Sequence, residues 1–346
     1  MFRDIKLAQL QDLQQNQTIA LIDVRSPSEY NHSTIPGSIN IPVFSDEERA
    51  EVGSLYKQVS AEAAKERGLE IMSKKLPAFI KAFRDIPNPK VVYCWRGGMR
   101  SKTAATLVDL IGIPVYRLDG GFRSYRQWVV DTLETIDFQA DAFLLNGYTG
   151  TGKTIMLQKL KEESYPVVDL EGMANHRGSI FGQIGLNPHN QTTFDSLLLE
   201  RLLPLIDSPY VLFEAESKRI GKVMLPDFLR KTKEEGLQIF VEMPIEERIK
   251  NILDEYEPWN YHEECLHAYG LIKKRIHTPV AKEIENDLHN QNYSSAVHQL
   301  LEYYYDPLYD YTRKQYPTNQ SITIKADDVD DGVQKVKEVL ESVHVM

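Results

Sequence analysis

The sequence predicts an α/β protein of two domains, each built around a parallel sheet. The chain has 346 residues, which is too long for one ordinary hydrophobic core. Short apolar runs alternate with helical stretches, the pattern of a parallel sheet, and this alternation starts twice. Residues 1–135 carry a net charge of +2 and residues 136–346 a net charge of −12. We therefore expect domains at 1–135 and 136–346.

In the first domain, apolar runs at 19–24, 91–94 and 115–118 are predicted to be buried strands. Helices are predicted at 60–83 and 101–112, and the second ends at a glycine shortly before a proline. Ligands of parallel sheets bind beyond the carboxyl ends of the strands. Cys94 lies at such an end.

The second domain repeats the pattern and then becomes helical. Strands are predicted at 142–146, 165–171, 210–216 and 237–243, and helices at 153–163 and 245–256. A Tyr-rich stretch after Pro258 is predicted to be mainly helical. The chain closes with SITIKA (321–326) and an amphipathic helix at 329–343.

Composition restricts the class of protein. The chain is 42% hydrophobic and 26% charged, as in soluble globular proteins. It has neither a run of 18 apolar residues nor an apolar signal core near Met1, so we expect a cytoplasmic protein without a membrane partner. The net charge of −10 argues against nucleic-acid binding by bulk electrostatics but leaves room for a local basic groove.

Residues 147–154, GYTGTGKT, match the P-loop pattern G-x-x-x-x-G-K-S/T between a predicted strand and a predicted helix. Backbone N–H groups of such a loop, with the helix N-terminus, form a site for a diphosphate. The lysine supplies positive charge and the last threonine a hydroxyl that can bind Mg²⁺. The predicted diphosphate-binding residues are Gly147, Thr149, Gly150, Gly152, Lys153 and Thr154.

A P-loop NTPase also needs an acidic residue at the end of another strand to organise its metal ion. Four acids follow apolar runs here: Asp169, Glu171, Glu214 and Glu216. The usual form is an aspartate after four apolar residues, so glutamate in that role is a departure. Phosphate binding is therefore better supported than nucleotide hydrolysis, no metal ligand is assigned with certainty, and Mg²⁺ stays open. Each acid could instead be a solvated strand end.

The first domain places a cysteine in a loop suited to an anion. In VVYCWRGGMRS (91–101), Cys94 follows a strand and precedes a helix, so the helix dipole and backbone N–H groups favour its thiolate. Glycines permit a tight loop, and arginines add charge-assisted hydrogen bonds. An inert core cysteine would not be surrounded by arginines. The predicted anion cradle comprises Arg96, Gly97, Gly98, Arg100 and Ser101.

Three segments of residues 1 to about 130 resemble a rhodanese domain, a fold that transfers sulfur as a cysteine persulfide: LIDVRSPSEYNHSTIPGSINIP (21–42), the Cys94 loop and LDGGFRSYR (118–126). With the P-loop, DLEGMANHRGSIFG (169–182) and FEAESKRIG (213–221), the whole chain resembles the tRNA 2-selenouridine synthase family. The resemblance implies a rhodanese-like parallel-sheet domain, then a P-loop NTPase-like, kinase-like domain with a helical C-terminal extension.

The spacing within the cysteine loop departs from that of simple rhodaneses. These usually place an arginine five residues after the cysteine, whereas Arg100 lies six residues after Cys94. The longer loop is similar to that of cell-cycle phosphatases of this fold, which hold a tetrahedral phosphate. Selenophosphate is also tetrahedral, so the resemblance implies that the cradle holds its phosphate while the catalytic Cys94 thiolate meets the selenium or receives it.

The family resemblance implies a two-step reaction on the wobble 2-thiouridine of certain tRNAs. The sulfur is first alkylated by geranyl diphosphate, and selenium from selenophosphate then displaces the S-geranyl group. The P-loop would bind the prenyl diphosphate, and ATP is not expected. Ile180 and Phe181 could line a prenyl channel or belong to the core. A selenophosphate-producing enzyme is a candidate partner beside tRNA.

Two further segments are candidates for substrate binding. In GMANHRG, the side chains of Asn175, His176 and Arg177 could orient the base or the diphosphate, although a lone histidine is more often structural. Aromatic residues interleaved with basic residues at 273–275 and 313–314 could stack unpaired anticodon bases. Packing between helices is the alternative for these tyrosines. Cys265 lacks nearby glycines and arginines and is predicted to be structural.

Two other functions stay open at the level of sequence. The first is a P-loop kinase or ATP-dependent sulfurtransferase in which Cys94 carries persulfide. The second is a nucleotide-sensing module fused to an inactive rhodanese domain, and the intact cysteine loop argues against it.

Overall fold

The computed structural model describes residues 2–215, 218–313 and 320–344. The chain divides into two units, one of residues 1–135 with 195–197 and the other of residues 136–194 with 198–346. Each unit has its own five-stranded sheet in which every neighbouring pair of strands is parallel. The predicted α/β class with parallel sheets is confirmed.

The first unit has the strand order β1-β5-β4-β2-β3. Its strands are β1 (Arg3–Ile5), β2 (Ala20–Asp23), β3 (Ile39–Asn40), β4 (Lys90–Tyr93) and β5 (Val115–Leu118). Its helices are α1 (Leu7–Asn16), α2 (Pro27–His32), α3 (Asp46–Gln58), α4 (Ala61–Arg84), α5 (Met99–Leu110) and α6 (Gly121–Thr135). The fully buried β2 and β4 explain the continuous apolar runs in the sequence.

Local sequence explains where the helices of this unit begin. The Ser60 side chain accepts a hydrogen bond from the backbone of Ala63 and so caps α4, whose apolar face packs Phe79 and Phe83 into the core. Helix α5 begins at Met99, two residues before the predicted start, because Gly98 occupies the N-cap position. The anion loop is therefore shorter than predicted, and Arg100 and Ser101 belong to the first turn of α5.

The second unit has the strand order β12-β11-β6-β8-β7, with a separate antiparallel pair β9–β10. Its strands are β6 (Asp141–Gly147), β7 (Val167–Val168), β8 (Tyr210–Glu214), β9 (Arg219–Ile220), β10 (Val223–Met224), β11 (Leu237–Glu242) and β12 (Ser321–Lys325). Its first helices are α7 (Lys153–Glu162), α8 (Leu170–Ala174), α9 (Gln191–Leu202), α10 (Asp227–Glu235) and α11 (Ile245–Tyr256). The others are α12 (His262–Ile272), α13 (Thr278–His289), α14 (Tyr293–Leu300), α15 (Asp306–Arg313) and α16 (Val329–His344).

The predicted strand at 165–171 is wrong over most of its length. Only Val167–Val168 pairs with β8, and the chain then turns into the short helix α8. Asp169 causes this change, because its carboxylate accepts a hydrogen bond from the backbone of Gly172 at 2.7 Å and caps the helix. Glu171 consequently lies in a helix rather than at a strand end.

The predicted helical region after Pro258 is confirmed as α12 to α15. These helices have a core of their own, which includes Tyr269, Ile272 and Ile284, and a π-helical turn at Leu301–Tyr305 joins α14 to α15. Across the described ranges, no helix has both the length and the apolar character needed to cross a membrane.

Candidate active site

Cys94 lies directly beyond β4, at the carboxyl end of the first sheet. Its side chain is buried, and its Sγ lies 3.2 Å from the hydroxyl oxygen of Ser101. The Cys94 carbonyl accepts a hydrogen bond from the backbone N–H of Phe122 at 2.9 Å. The thiol is thus held at the base of the loop, next to the first turn of α5, as the motif predicts.

The cysteine loop requires glycine at positions where the chain comes close to another segment. Gly97 has a φ of +65°, and a Cβ on it would lie 3.0 Å from the backbone of Gly120 and Leu118. Gly121 has a φ of +59°, and a Cβ there would lie 2.2 Å from the Cys94 carbonyl oxygen. Gly121, at the start of α6, therefore forms the floor of the loop, although sequence reasoning did not assign it to the site.

We expect Gly121→Ala to destabilise the first unit by about 3 kcal/mol or more, because the new methyl group meets backbone atoms and the φ disfavours an L-residue. Gly53→Ala, within α3, is the matched control, since a Cβ there meets nothing within 4 Å. The control should raise stability by about 0.5–1 kcal/mol. Denaturant unfolding measures both changes, and equal stabilities would contradict the close approach at Gly121.

The two arginines of the cradle have different surroundings. Arg96 is exposed, whereas both terminal nitrogens of Arg100 donate to the carboxylate of Glu29 on α2. Burial raises the pKa of Glu29, but the hydrogen bonds and charge of Arg100 outweigh burial and hold the pKa below its ordinary value. An anion in the cradle would therefore share Arg100 with Glu29, a partner that sequence reasoning missed.

Arg117 is a second missed residue of this loop. Its guanidinium donates to the Gly97 carbonyl oxygen at 2.7 Å and forms an ion pair with Asp4 at 2.6 Å. It thereby fixes the turn that carries the glycine pair. In the sequence, this role is indicated only by the presence of an arginine inside the short apolar strand VYRL (115–118).

In the second unit, the P-loop joins β6 to α7. Gly150 and Gly152 have φ values of +84° and +71°, and Gly152 occupies the N-cap position of α7. The Lys153 ammonium donates to the carbonyl oxygens of Gly147 and Tyr148, both at 3.1 Å. The lysine thus bends back over its own loop, within reach of any anion that the loop binds.

Helix α11 holds the other side of the P-loop. The buried Arg248 donates to the Thr149 carbonyl at 2.9 Å, and Asn251 donates to the Gly150 carbonyl, also at 2.9 Å. Asp306 on α15 fixes the Arg248 guanidinium through two hydrogen bonds of 3.0 and 2.5 Å. These donors occupy carbonyl oxygens that would otherwise repel a diphosphate. In the sequence, Arg248 and Asn251 look like members of the polar face of an amphipathic helix.

The structure brings three of the four predicted acids together beside the P-loop. Thr154 donates its hydroxyl hydrogen to Glu171 at 3.0 Å. Glu214 is buried and accepts from the Leu170 backbone at 2.9 Å. Burial, and then the negative charges of Asp169 and Glu171, raise the pKa of Glu214 well above its ordinary value. Glu214 therefore binds its proton more tightly than an exposed glutamate does.

Glu216, the fourth predicted acid, lies outside the described residues. Among the residues that the structure describes, no group of three or more His, Cys, Asp or Glu side chains is arranged to hold a metal ion. A role for Mg²⁺ stays a prediction.

The side chains of Asn175, His176 and Arg177 all contact the surrounding fold. Asn175 donates to the Asn187 carbonyl at 2.8 Å, and the buried His176 accepts from the Gly178 backbone at 3.1 Å. The Arg177 guanidinium donates to two backbone carbonyls and forms a 3.0 Å ion pair with Glu255. These contacts hold the segment in place, and substrate contact by it stays a prediction.

An apolar cavity of about 70 Å³ adjoins the P-loop within the second unit. Thr149 of the P-loop lines it together with Phe181, Tyr256, Leu301 and Tyr305, among other residues. Phe181 and its neighbour Ile180 both pack against the helical core, and Phe181 also lines the cavity. The P-loop and an apolar cavity therefore meet at Thr149.

Cys265 also lines this cavity, and burial raises the pKa of its thiol to about 11. Such a thiol stays protonated and unreactive at neutral pH.

The predicted RNA-contacting residues are only partly described. Lys273 forms an ion pair with Glu285 at 2.6 Å, and Arg275 donates to the Tyr304 hydroxyl at 3.4 Å. The Arg313 side chain and Lys314 lie outside the described residues. Tyr303 and Tyr311 are more than half exposed and so are available for stacking, at 52% and 71%.

A cysteine loop on one parallel sheet and a P-loop on a second define a rhodanese-like domain joined to a P-loop domain. Residues 6–127 match the rhodanese-like domain family, and residues 140–340 match the family described as "tRNA 2-selenouridine synthase AAA domain". The chain belongs to the tRNA 2-selenouridine synthase family. The family predicted from the motifs is therefore confirmed.

Similar proteins cover nearly the whole chain. The tRNA 2-selenouridine synthase of Sulfurovum sp. (strain NBC37-1) is 34% identical over 84% of this chain and 88% of its own length. That of Bdellovibrio bacteriovorus is 31% identical over 89% of this chain and 92% of its own length. Among solved structures, a rhodanese-related protein from Thermoplasma volcanium is 20% identical over 37% of this chain and 93% of its own, with a TM-score of 0.23.

Proposed function

We propose that this chain is a transferase that converts wobble 2-thiouridine in tRNA to 2-selenouridine through an S-geranyl intermediate. Its donors are geranyl diphosphate and selenophosphate. The observation that carries the geranyl step is the meeting of the P-loop with an apolar cavity at Thr149. A prenyl diphosphate needs an anion cradle and an apolar cavity next to each other, whereas the transferred phosphate of a nucleotide does not need the cavity.

In the first step, the thiouridine sulfur attacks C1 of the geranyl group. A C–S bond forms, the C–O bond to diphosphate breaks, and the N3 proton of the base is released. The negative charge that develops on the leaving diphosphate is stabilised by P-loop N–H groups and by Lys153, whose ammonium leaves the loop carbonyls for the phosphate oxygens. Arg248 keeps the loop in the required shape.

In the second step, selenium attacks C2 of the alkylated base and geranyl thiolate leaves with the electron pair of the C–S bond. Water cleaves the P–Se bond of selenophosphate and releases phosphate. The cradle of Cys94, Gly97, Gly98 and Arg100 binds the tetrahedral anion, with the thiolate beside the selenium. Alkylation makes this displacement feasible because the thiocarbonyl sulfur of the free base is a poor leaving group.

The two donors already contain the driving force, so we expect the enzyme not to use ATP. Millimolar ATP should leave the rate of selenation unchanged, and ATP hydrolysis should not rise when thiolated tRNA is added. Nucleoside analysis measures the rate of selenation, and formation of ADP measures ATP hydrolysis, because selenophosphate itself releases phosphate in the proposed reaction. Hydrolysis that rises with tRNA would favour the alternative, a P-loop kinase or an ATP-dependent sulfurtransferase with a persulfide on Cys94.

The overall reaction is tested by mass spectrometry of wobble nucleosides from cells that lack and then regain this protein. We expect 2-selenouridine to disappear and return. Its persistence without the protein would contradict the proposed function. Cytoplasmic location and supply by a selenophosphate-producing enzyme belong to the same proposal.

A further inference from the structure

The cavity beside the P-loop is separated from an open groove by two side chains. The groove has a volume of about 650 Å³ and is lined by residues that include Trp259 and His298. Only Leu253 and Tyr293 line both the groove and the 70 Å³ cavity, among the residues that the structure describes. These two residues form a wall between the two spaces.

Tyr293 is held in place by contacts of its ring and of its hydroxyl. It is the first residue of α14 and is only 8% exposed. Its hydroxyl lies 2.9 Å from Nδ1 of His262, and the two rings meet edge to face at a centroid distance of 6.1 Å. Because both its ring and its hydroxyl are restrained, the Tyr293 side chain is held in one orientation.

We propose that Tyr293 and Leu253 set the length of the isoprenoid chain that the enzyme accepts. This inference rests on the proposed function, in which Thr149 and the rest of the P-loop bind the diphosphate and the cavity receives the chain. A chain that outgrows the cavity would have to pass through the wall into the groove, so the wall favours the shorter of two isoprenoid donors.

The wall can be opened by one substitution and kept by another at the same position. Tyr293→Ala removes the ring and joins the cavity to the groove. Tyr293→Phe keeps the ring and removes only the hydroxyl that contacts His262, so it is the matched control. Leu253→Ala opens the wall from α11 and tests the same idea at a second position.

The experiment offers geranyl and farnesyl diphosphate together to the full-length enzyme and thiolated tRNA, and mass spectrometry counts the two S-prenyl nucleosides. Wild type and Tyr293→Phe should strongly favour geranyl. Tyr293→Ala should raise the farnesyl-to-geranyl ratio of kcat/KM about tenfold or more, since pocket walls discriminate chain length on this scale. Leu253→Ala should change the ratio in the same direction, and it decides the outcome if Tyr293→Ala does not fold.

Two results would overturn the inference while leaving the proposed function intact. One is a folded, active Tyr293→Ala enzyme whose donor ratio equals that of wild type. The other is a wild-type enzyme that uses farnesyl diphosphate as fast as geranyl diphosphate, a result that needs no variant. If wild type transfers no prenyl group from either donor, the proposed function fails and the inference fails with it.

Discussion

Cys94→Ala is expected to convert thiolated tRNA to the S-geranyl form and to stop there. The proposed alkylation needs no protein nucleophile, since in it the thiouridine sulfur attacks and diphosphate leaves. In the proposed second step the Cys94 side chain lies beside the selenium in the anion cradle, and Cys94 is the thiol that follows β4 and contacts Ser101. Without it the selenium is no longer held in position, and we expect the rate of selenation to fall by a factor of about 10² or more.

Nucleoside analysis with both donors present measures this effect, because the S-geranyl nucleoside should accumulate in the variant. Supplying tRNA that already carries the S-geranyl group isolates the second step. Selenation at the wild-type rate would mean that the loop only binds phosphate. Loss of geranyl transfer as well would mean that the two steps do not use separate sites.

Lys153→Ala is expected to abolish geranyl transfer in an ordinary assay, with a fall in rate of at least about 10²-fold. The variant loses the ammonium that, in the proposed first step, neutralises the leaving diphosphate. Lys159→Ala is the matched control, because this lysine lies on the same helix and is paired with the exposed Asp330. The control should retain the wild-type rate.

Prenylation of thiolated tRNA by the purified variants is the measurement. Selenation of tRNA that already carries the S-geranyl group should survive in Lys153→Ala, since we assign that step to the other unit. Near-normal geranyl transfer by Lys153→Ala would exclude the P-loop as the site of the prenyl diphosphate.

Most of the fold could be predicted from the sequence because parallel strands are buried on both faces and stand out as apolar runs. Strands β1 and β3 were not predicted, and the wrong prediction at 165–171 has a physical cause. Apolar character continues through Leu170, but Asp169 satisfies backbone N–H groups as a helix cap, and this local contact overrides the strand pattern. Because of this cap, Glu171 lies in α8 and accepts a hydrogen bond from the Thr154 hydroxyl, instead of lying at the end of a strand.

The local motifs could be predicted, but their supporting residues could not. The candidate functional residues of loops 94–101 and 147–154 are nearly consecutive, so each loop can be recognised from one segment of the sequence. Glu29, Arg117 and Arg248 reach these loops from distant elements, and only the fold brings them there. The apolar cavity is likewise formed by several helices, none of which is unusual by itself.

The position of β12 has a consequence for how the protein is made. This edge strand, Ser321–Lys325, pairs with β11, which ends at Glu242, so the ribosome must add residues 243–320 before the partner appears. Until then, the nascent chain exposes an unpaired strand edge and the side of α7 that α16 later covers. The sheet of the first unit is complete once Leu118 has emerged, so the second unit is the part that needs protection from aggregation during synthesis.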